Sequence, residues 1–266
     1  MLGTKIRRKI VSMLPLFLRV WLGKLLQIWR GNINSKRDTG EIFDEIYQKG
    51  LWGGESGKLC SGHGSVENSF GAYTSYVAEF IDDLPSEIPC IIDIGCGDFS
   101  VGSHILTQLN RSVHYIGVDV APTVIEHHKS KLASLSFPVS HKIEFICADA
   151  SRDNLPRADL CLIRQVFQHL SNSTILDALE NLSDIPYMLI SEEQVINDPK
   201  LVPNKDKVNG PYTRLSEHSG VYLDKPPFSL SNVTWVLGVA LSPKAAINTF
   251  LVHKQPYWSE YSYETA

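Results

Sequence analysis

Cysteine and long apolar runs are scarce in this chain of 266 residues. Its five cysteines, at positions 60, 90, 96, 147 and 161, include no Cys-x-x-Cys pair. This argues against a zinc ribbon, a dithiol redox motif and a disulfide framework, and we expect a reducing, cytoplasmic location. No apolar run reaches the roughly 20 residues that a membrane-spanning helix needs, because Arg19 and Lys24 interrupt the most apolar segment.

Acidic side chains are absent from residues 1–31, which carry seven basic ones. Because the net charge is −4, the remainder carries about −11, and an acidic body predicts no nucleic-acid partner. The apolar residues of this segment recur at helical spacing: Ile10, Leu14, Phe17, Leu18, Trp21, Leu22, Leu25, Ile28 and Trp29. The pattern predicts a basic amphipathic helix. Such a helix could make peripheral contact with the inner face of a membrane, or dock on the domain or on a second subunit of a homodimer.

A glycine turn near position 95 lacks the third glycine of the dinucleotide-binding pattern. The apolar run 90–92 predicts a buried parallel strand, and Gly95 and Gly97 follow it. A dinucleotide-binding turn would carry glycine or alanine at position 100, where this chain has serine. Asp98 would repel a pyrophosphate but not a cofactor with a cationic sulfonium. The turn therefore favours S-adenosylmethionine over NAD.

Further apolar runs predict a series of strands. They lie at 115–118, 141–148, 158–163, 187–191, 233–237 and 249–252. Asp119, Asp149 and Arg164 each come at or directly after the end of one of the first three runs. Parallel strands of an open α/β sheet bring their carboxyl ends to one edge, where nucleoside-type cofactors bind. We therefore expect these side chains to lie close together.

These residues carry a family resemblance. With Asp93, Gly95 and Gly97 as Asp-x-Gly-x-Gly and Asp119 as the second acid, the chain resembles the class I S-adenosylmethionine-dependent methyltransferases. A closer likeness is to a bacterial branch of that superfamily, over roughly residues 42–230, and it includes 93–100 and 164–170. The resemblance implies a Rossmann-like α/β fold. It has a mixed, mostly parallel sheet, an antiparallel edge strand, and helices on both faces.

The resemblance also implies how the cofactor is held. Asp93 and the turn Gly95-Cys96-Gly97 would pack against its methionine part, Asp119 would bind the ribose, Val120 would flank the adenine, Asp149 and Ala150 would meet the adenine amino group, and Arg164 would border the methyl group. Three regions follow: a helix at 1–31, a lid with leading helices at 32–89, and a core at 90–266. Six glycines between positions 50 and 64 indicate the mobile lid, with an ordinary surface loop as the alternative.

Methyl transfer to a hydroxyl requires a base, and His169 is the candidate because it follows the fourth strand. It could instead be a structural residue, and His127 and His128 are expected on a surface helix. Glu192 and Glu193 follow the fifth strand; they could hold a divalent ion, they could be surface charge, or one of them could face the acceptor. In the absence of a spaced His/Asp set we predict no metal.

The Pro/Asn-rich insertion at about 197–230 is expected to form the acceptor site, with Tyr212, Arg214 and His218 contacting substrate. Together these features predict transfer of a methyl group to a hydroxyl of a small-molecule or glycan acceptor, near a membrane, as for surface polysaccharides or lipid-linked glycans. An isoprenoid or quinone methyltransferase is one alternative. A non-catalytic cofactor-binding scaffold is another, and an NAD-dependent enzyme ranks third.

Overall fold

The computed structural model describes residues 37–53, 59–62 and 67–254, so the expected helix at 1–31 lies outside the described residues. The α-helices in this part of the chain are α1 (Thr39–Gln48), α2 (Glu67–Asp82), α3 (Ser100–Gln108), α4 (Pro122–Lys131) and α5 (Asn172–Asn181). The strands are β1 (Cys90–Ile94), β2 (His114–Asp119), β3 (Lys142–Cys147), β4 (Leu160–Arg164), β5 (Tyr187–Val195), β6 (Val233–Ser242) and β7 (Ala245–His253). Short 3-10 turns lie at Leu132–Ser134, Phe167–His169 and Leu215–Glu217.

The strands form one seven-stranded sheet in the order β3-β2-β1-β4-β5-β7-β6. The first five strands pair in parallel, and β7 pairs antiparallel with both β5 and β6. The expected Rossmann-like, mostly parallel sheet with antiparallel pairing at one edge is confirmed. The fifth strand runs four residues further than expected, because Glu192 and Glu193 belong to β5 and do not follow it.

Both faces of the sheet are buried. Ile92 and Ile163 point to one side, where α1 and α5 pack, and Ile91 and Leu162 point to the other side, where α2 and α3 pack. Neighbouring residues of one strand thus enter opposite cores, as the two-residue period of a strand requires. This explains why the central strands are continuous apolar runs in the sequence.

The insertion between β5 and β6 packs against the sheet as part of its core. Val221, Leu223 and Phe228 are buried in the same apolar cluster as α1 and α5. The buried Asn204 amide donates to the carbonyls of Tyr222, Lys225 and Pro226 and fixes the path of this segment. The insertion therefore occupies a place on the sheet that a helix would otherwise cover.

Candidate functional site

A cleft lies at the carboxyl ends of β1 to β4, and its roughly 1150 Å³ of empty space includes open solvent. It is lined by all of the residues expected to hold the cofactor and by the expected base: Asp93, Gly95, Cys96, Gly97, Asp119, Val120, Asp149, Ala150, Arg164 and His169. The parallel pairing of these strands brings together residues that lie up to 76 positions apart in the sequence. This is the edge at which open α/β sheets bind nucleoside-type ligands.

The glycine turn brings bare backbone to the cleft wall. Gly95 has φ +68° and Gly97 has φ +55°, a region that L side chains rarely adopt. A Cβ atom on Gly95 would lie 2.5 Å from Cγ2 of Val166, and one on Gly97 would overlap the Ser61 hydroxyl. Both positions therefore require glycine, because of backbone conformation and of space.

Phe99, two residues after Gly97, also has a positive φ, of 64°. Its buried ring packs against Tyr115, Phe145 and His128, which holds this strained conformation in place. The His128 Nε2–H donates to the Gly97 carbonyl at 2.7 Å. The expectation that His128 is a surface residue was wrong, since it is buried under the turn and supports it.

The described part of the expected lid contacts the turn directly. The amide of Ser61 donates to the Asp98 carboxylate at 2.9 Å, and the Asp98 amide donates to the Ser61 hydroxyl at 2.7 Å. The Ser100 amide also donates to Asp98, at 3.1 Å. Tyr47 on α1 lies 3.3 Å from the same serine hydroxyl. This reciprocal pairing holds residues 59–62 against the N-terminal end of α3.

Asp119 lies at the end of β2, with its side chain buried beside the turn. Its two carboxylate oxygens accept from the amides of Gly97 at 3.1 Å and Ala121 at 2.9 Å. Burial raises the pKa of Asp119 to about 6, against the lowering effect of these amides. A ligand hydroxyl that reached this carboxylate would meet an acceptor already held in a fixed orientation.

Asp93 is buried at the end of β1 and accepts a hydrogen bond from the Tyr115 hydroxyl. Burial raises the pKa of Asp93 to about 7. The Arg164 guanidinium lies 5.2 Å from the ring centre of Tyr73, which also lines the cleft. Aspartate, arginine and two tyrosines thus form a polar group at the β1–β4 side of the cleft.

Asp149 and Ala150 form another wall of the cleft after β3. Both the amide and the hydroxyl of Ser151 donate to one Asp149 oxygen, at 2.9 and 2.7 Å. Arg152 lies 3.6 Å from the other oxygen and 2.6 Å from Asp38, the residue that caps α1. An ion pair between Arg152 and Asp38 therefore ties α1 to this end of the cleft.

Gln165 was missed by sequence reasoning as a site residue. It lines the cleft directly after β4 with φ +56°, an uncommon conformation for a non-glycine residue. Its side-chain NH₂ group donates to the Glu193 carboxylate at 3.0 Å, and its side-chain oxygen Oε1 accepts from the Arg164 guanidinium at 3.0 Å. No local pattern signals a left-handed glutamine, so only the fold identifies it.

Aromatic side chains from α1 and the residues after it form the roof of the cleft. The Trp52 ring lies 5.0 Å from that of His169 and 5.2 Å from that of Tyr47, and Phe43 is next to it at 5.9 Å. Burial, with help from the nearby Lys207 charge, lowers the pKa of His169 to about 3. The imidazole is therefore neutral at physiological pH and is not tuned to accept a proton near pH 7.

The three expected acceptor contacts lie elsewhere. Of the described residues, those that line the cleft do not include Tyr212, Arg214 or His218. Arg214 is buried and donates to main-chain carbonyls, whereas His218 is paired with Asp198 at 2.7 Å on the surface. Tyr212 is 37% exposed and follows Pro211, whose carbonyl accepts from Trp52. The insertion was expected to supply the acceptor site; these three side chains do not line the described cleft, and their contact with an acceptor stays a prediction.

Glu192 was considered as a metal ligand or as surface charge, and the structure shows a different environment. It is buried, and its carboxylate accepts from the amides of Val166 at 3.1 Å, Phe167 at 2.8 Å and Gln168 at 2.9 Å. Burial raises the pKa of Glu192 to about 8, and these amides together with the Arg214 charge act in the opposite direction. In the described part of the chain, no cluster of three or more metal-ligating side chains is present.

Comparisons with known proteins point to one domain family. Residues 92–185, about a third of the chain, match the model of a family described as a methyltransferase domain. No curated protein matches the chain.

Solved structures also match. The magnesium protoporphyrin IX methyltransferase of Synechocystis PCC 6803 with bound SAM is 11% identical, with 82% of this chain and 99% of that chain covered and a TM-score of 0.49. The CMeT domain of the citrinin polyketide synthase is 13% identical (70% and 52% covered, TM-score 0.48), and the CurJ carbon methyltransferase is 15% identical (68% and 54% covered, TM-score 0.44). This chain spans about half the length of the last two. Similarities this low transfer neither activity nor acceptor to this chain.

The charge of the cleft lining distinguishes a cationic cofactor from one that carries a pyrophosphate. Four carboxylates, from Asp93, Asp98, Asp119 and Asp149, line the cleft together with one guanidinium, that of Arg164. Such a surface favours a cationic ligand and disfavours a pyrophosphate. Four features point to the same cofactor chemistry: the glycine turn, the acid after β2, the strand order and the family match. Residues 92–185 are therefore similar to a methyltransferase domain, and the cleft that they help to form suits S-adenosylmethionine as the cofactor.

Proposed function

We propose that the whole protein transfers the methyl group of S-adenosylmethionine to a hydroxyl of a small-molecule or glycan acceptor. The observation that carries the proposal is the combination, in one cleft, of a bare glycine turn with four carboxylates. Close backbone approach suits the methionine part of this cofactor, and the carboxylates suit its amino and sulfonium charges and its ribose hydroxyls.

When bound, the cofactor supplies an activated methyl carbon, so the protein has mainly to align the two reactants. Asp93 and the glycine turn would hold the methionine part and Asp119 the ribose. Trp52 and Tyr47 line the cleft, and Val166 packs on Gly95, so these apolar and aromatic side chains would reduce the access of water to the reacting atoms.

A hydroxyl acceptor is supported by the polar groups on the β1–β4 side of the cleft. Tyr73, Arg164 and Gln165 line it, and Glu193 lies behind Gln165. These groups can donate to or accept from a hydroxylated ligand. His169 also lines the cleft, and a pKa lowered to about 3 favours a hydrogen-bonding role for its ring over the expected role of a base.

An isoprenoid or quinone acceptor is the second candidate, and the aromatic roof of Phe43, Tyr47 and Trp52 favours it. The two candidates differ in a transfer assay with labelled S-adenosylmethionine. Hydroxylated sugars and lipid-linked glycans should accept label if the first is correct, and prenylated phenols if the second is. The Asp119→Ala variant should transfer no label in either case. Tight cofactor binding without transfer to any acceptor would instead favour a scaffold.

Membrane proximity is a separate part of the proposal and rests on residues 1–31. In the described part of the chain, no helix has the length and apolar character to cross a bilayer. The seven basic residues and the apolar stripe of 1–31 support interfacial contact. In liposome flotation with anionic vesicles, the full chain should float and a chain lacking 1–31 should not. Equal partitioning of the two would contradict this part.

A further inference from the structure

The residues that directly follow β4 form one wall of the cleft. This segment, residues 165–170, is called here the β4 turn. Val166 packs on Gly95, and His169 packs on Trp52 in the aromatic roof. The β4 turn therefore touches both the glycine turn and the roof, so its position determines the width of the cleft between them.

Two buried polar side chains, one acidic and one basic, hold this turn from behind. Glu192 on β5 accepts from three consecutive amides, those of Val166, Phe167 and Gln168. Arg214 in the insertion donates to the carbonyl of Phe167 at 3.0 Å and to that of Leu170 at 2.6 Å. Glu192 is 1% exposed and Arg214 is 3% exposed, and neither lines the cleft.

Other residues of the insertion also form hydrogen bonds with the β4 turn and with the residue that follows it. Lys207 and the amide of Gly210 both donate to the carbonyl of His169, at 2.9 and 3.0 Å. The side chain of Asn209 accepts from the Ser171 amide at 2.7 Å. Most polar backbone groups of a turn at a sheet edge would otherwise bind water. Here they are bound by side chains and main-chain groups from β5 and the insertion.

We propose that Glu192 and Arg214 are positioning residues for S-adenosylmethionine binding: they set the place of the β4 turn, and through Val166 and His169 the shape of the cofactor cleft. This inference rests on the proposed function. It assigns the insertion a part in holding the cofactor cleft, in place of the acceptor contact expected for Arg214. A short turn with bare glycine backbone opposite it tolerates little displacement, because a shift of about 1 Å is enough to degrade a preorganised site.

The test is the affinity for S-adenosylmethionine, measured by calorimetry on the full chain and on the variants Glu192→Gln and Arg214→Lys. Glu192→Gln keeps the side-chain volume but turns an NH₂ group toward amide donors. Arg214→Lys keeps the charge but loses the forked donor that reaches two carbonyls. Each variant should raise Kd by about tenfold or more, because each loses buried hydrogen bonds that hold the β4 turn in place.

Val113→Ala is the matched control, because Val113 is fully buried at the opposite end of the sheet, directly before β2. It should lower the melting temperature and leave Kd within about twofold, since the site is unaffected by distant, independent changes. The double variant should raise Kd by less than the product of the single effects, because both residues act on one turn.

The proposal is overturned if both variants bind S-adenosylmethionine as tightly as Val113→Ala does. If Glu192→Gln does not fold, Arg214→Lys decides alone. A wild-type chain that does not bind the cofactor would remove the proposed function itself. Binding by the wild type, together with unchanged Kd in the variants, would remove only the positioning roles.

Discussion

At the scale of single residues, Asp93 and Asp119 give the cleft its pH response. Burial raises the pKa of Asp93 to about 7 and that of Asp119 to about 6. For both carboxyls the folded value lies above the ordinary one, so the folded chain retains their protons as the pH rises from about 4. Their contribution to the stability of the ligand-free fold is therefore lost progressively between about pH 4 and pH 7.

The affinity for the cationic cofactor should change in the opposite direction. Kd for S-adenosylmethionine should fall about tenfold or more between pH 5.5 and 7.5, as these carboxyls ionise and attract the ligand. The range stops at pH 7.5 because the amino group of the cofactor begins to lose its own charge above it. Calorimetry at several pH values measures the trend, and Asp93→Asn should flatten it. An affinity independent of pH in the wild type would contradict this assignment.

His169 gives a second prediction at this scale. Since its pKa is lowered to about 3, the ring is already neutral at every pH above about 5. A plot of kcat against pH should therefore show no histidine step near 6.5, and His169→Gln should retain the shape of that plot. A step near 6.5 that disappears in His169→Gln would mean that the bound acceptor shifts the pKa of His169 back into the catalytic range.

At the scale of elements, the glycine turn is the most sensitive part of the site. Gly95→Ala adds a Cβ at a positive φ, which costs about 1–2 kcal/mol, and places it against Val166. We expect a loss of S-adenosylmethionine affinity of at least about tenfold.

Gly71→Ala provides the control for this substitution. Gly71 lies within α2, and among the described residues no atom outside its own helix backbone and its two chain neighbours lies within 4 Å of an added Cβ. Alanine there should stabilise the chain by about 0.5–1 kcal/mol through helix propensity and leave Kd unchanged. Thermal unfolding and calorimetry measure both effects. Equal affinities for the two variants would show that the turn does not approach the cofactor.

The elements also show what the sequence could and could not predict. Strands β1, β2 and β4 were predictable because strands buried on both faces are largely apolar runs. Strand β3 lies at the edge of the sheet, and there apolar residues alternate with Lys142 and Glu144, which is the pattern of a half-exposed strand. The end of β5 was not, since Glu192 and Glu193 look like surface charge until their partners are known. Those partners, at 165–168 and 214, lie more than twenty positions away in the sequence. For the same reason Arg214 was expected at the acceptor.

At the scale of the whole molecule, the family match and the acidic cleft define the donor, and the acceptor stays a proposal. Ligand binding to the folded state alone should stabilise it by about 2.7 kcal/mol at a concentration of 100 times Kd. The melting temperature of the full chain should therefore rise with S-adenosylmethionine. It should rise less in Gly95→Ala at the same concentration. If the melting temperature of the wild type did not rise at a saturating concentration of S-adenosylmethionine, the chain would have no binding site for this cofactor.

Binding of S-adenosylmethionine to the full chain tests the central claim most directly. Isothermal titration calorimetry at pH 7.5 should show one site per chain for this cofactor and for S-adenosylhomocysteine. NAD at the same concentrations should give no binding heat, because four carboxylates and a turn without its third glycine disfavour a pyrophosphate. Heat with NAD, or none with S-adenosylmethionine across titrations at two temperatures, would contradict the account.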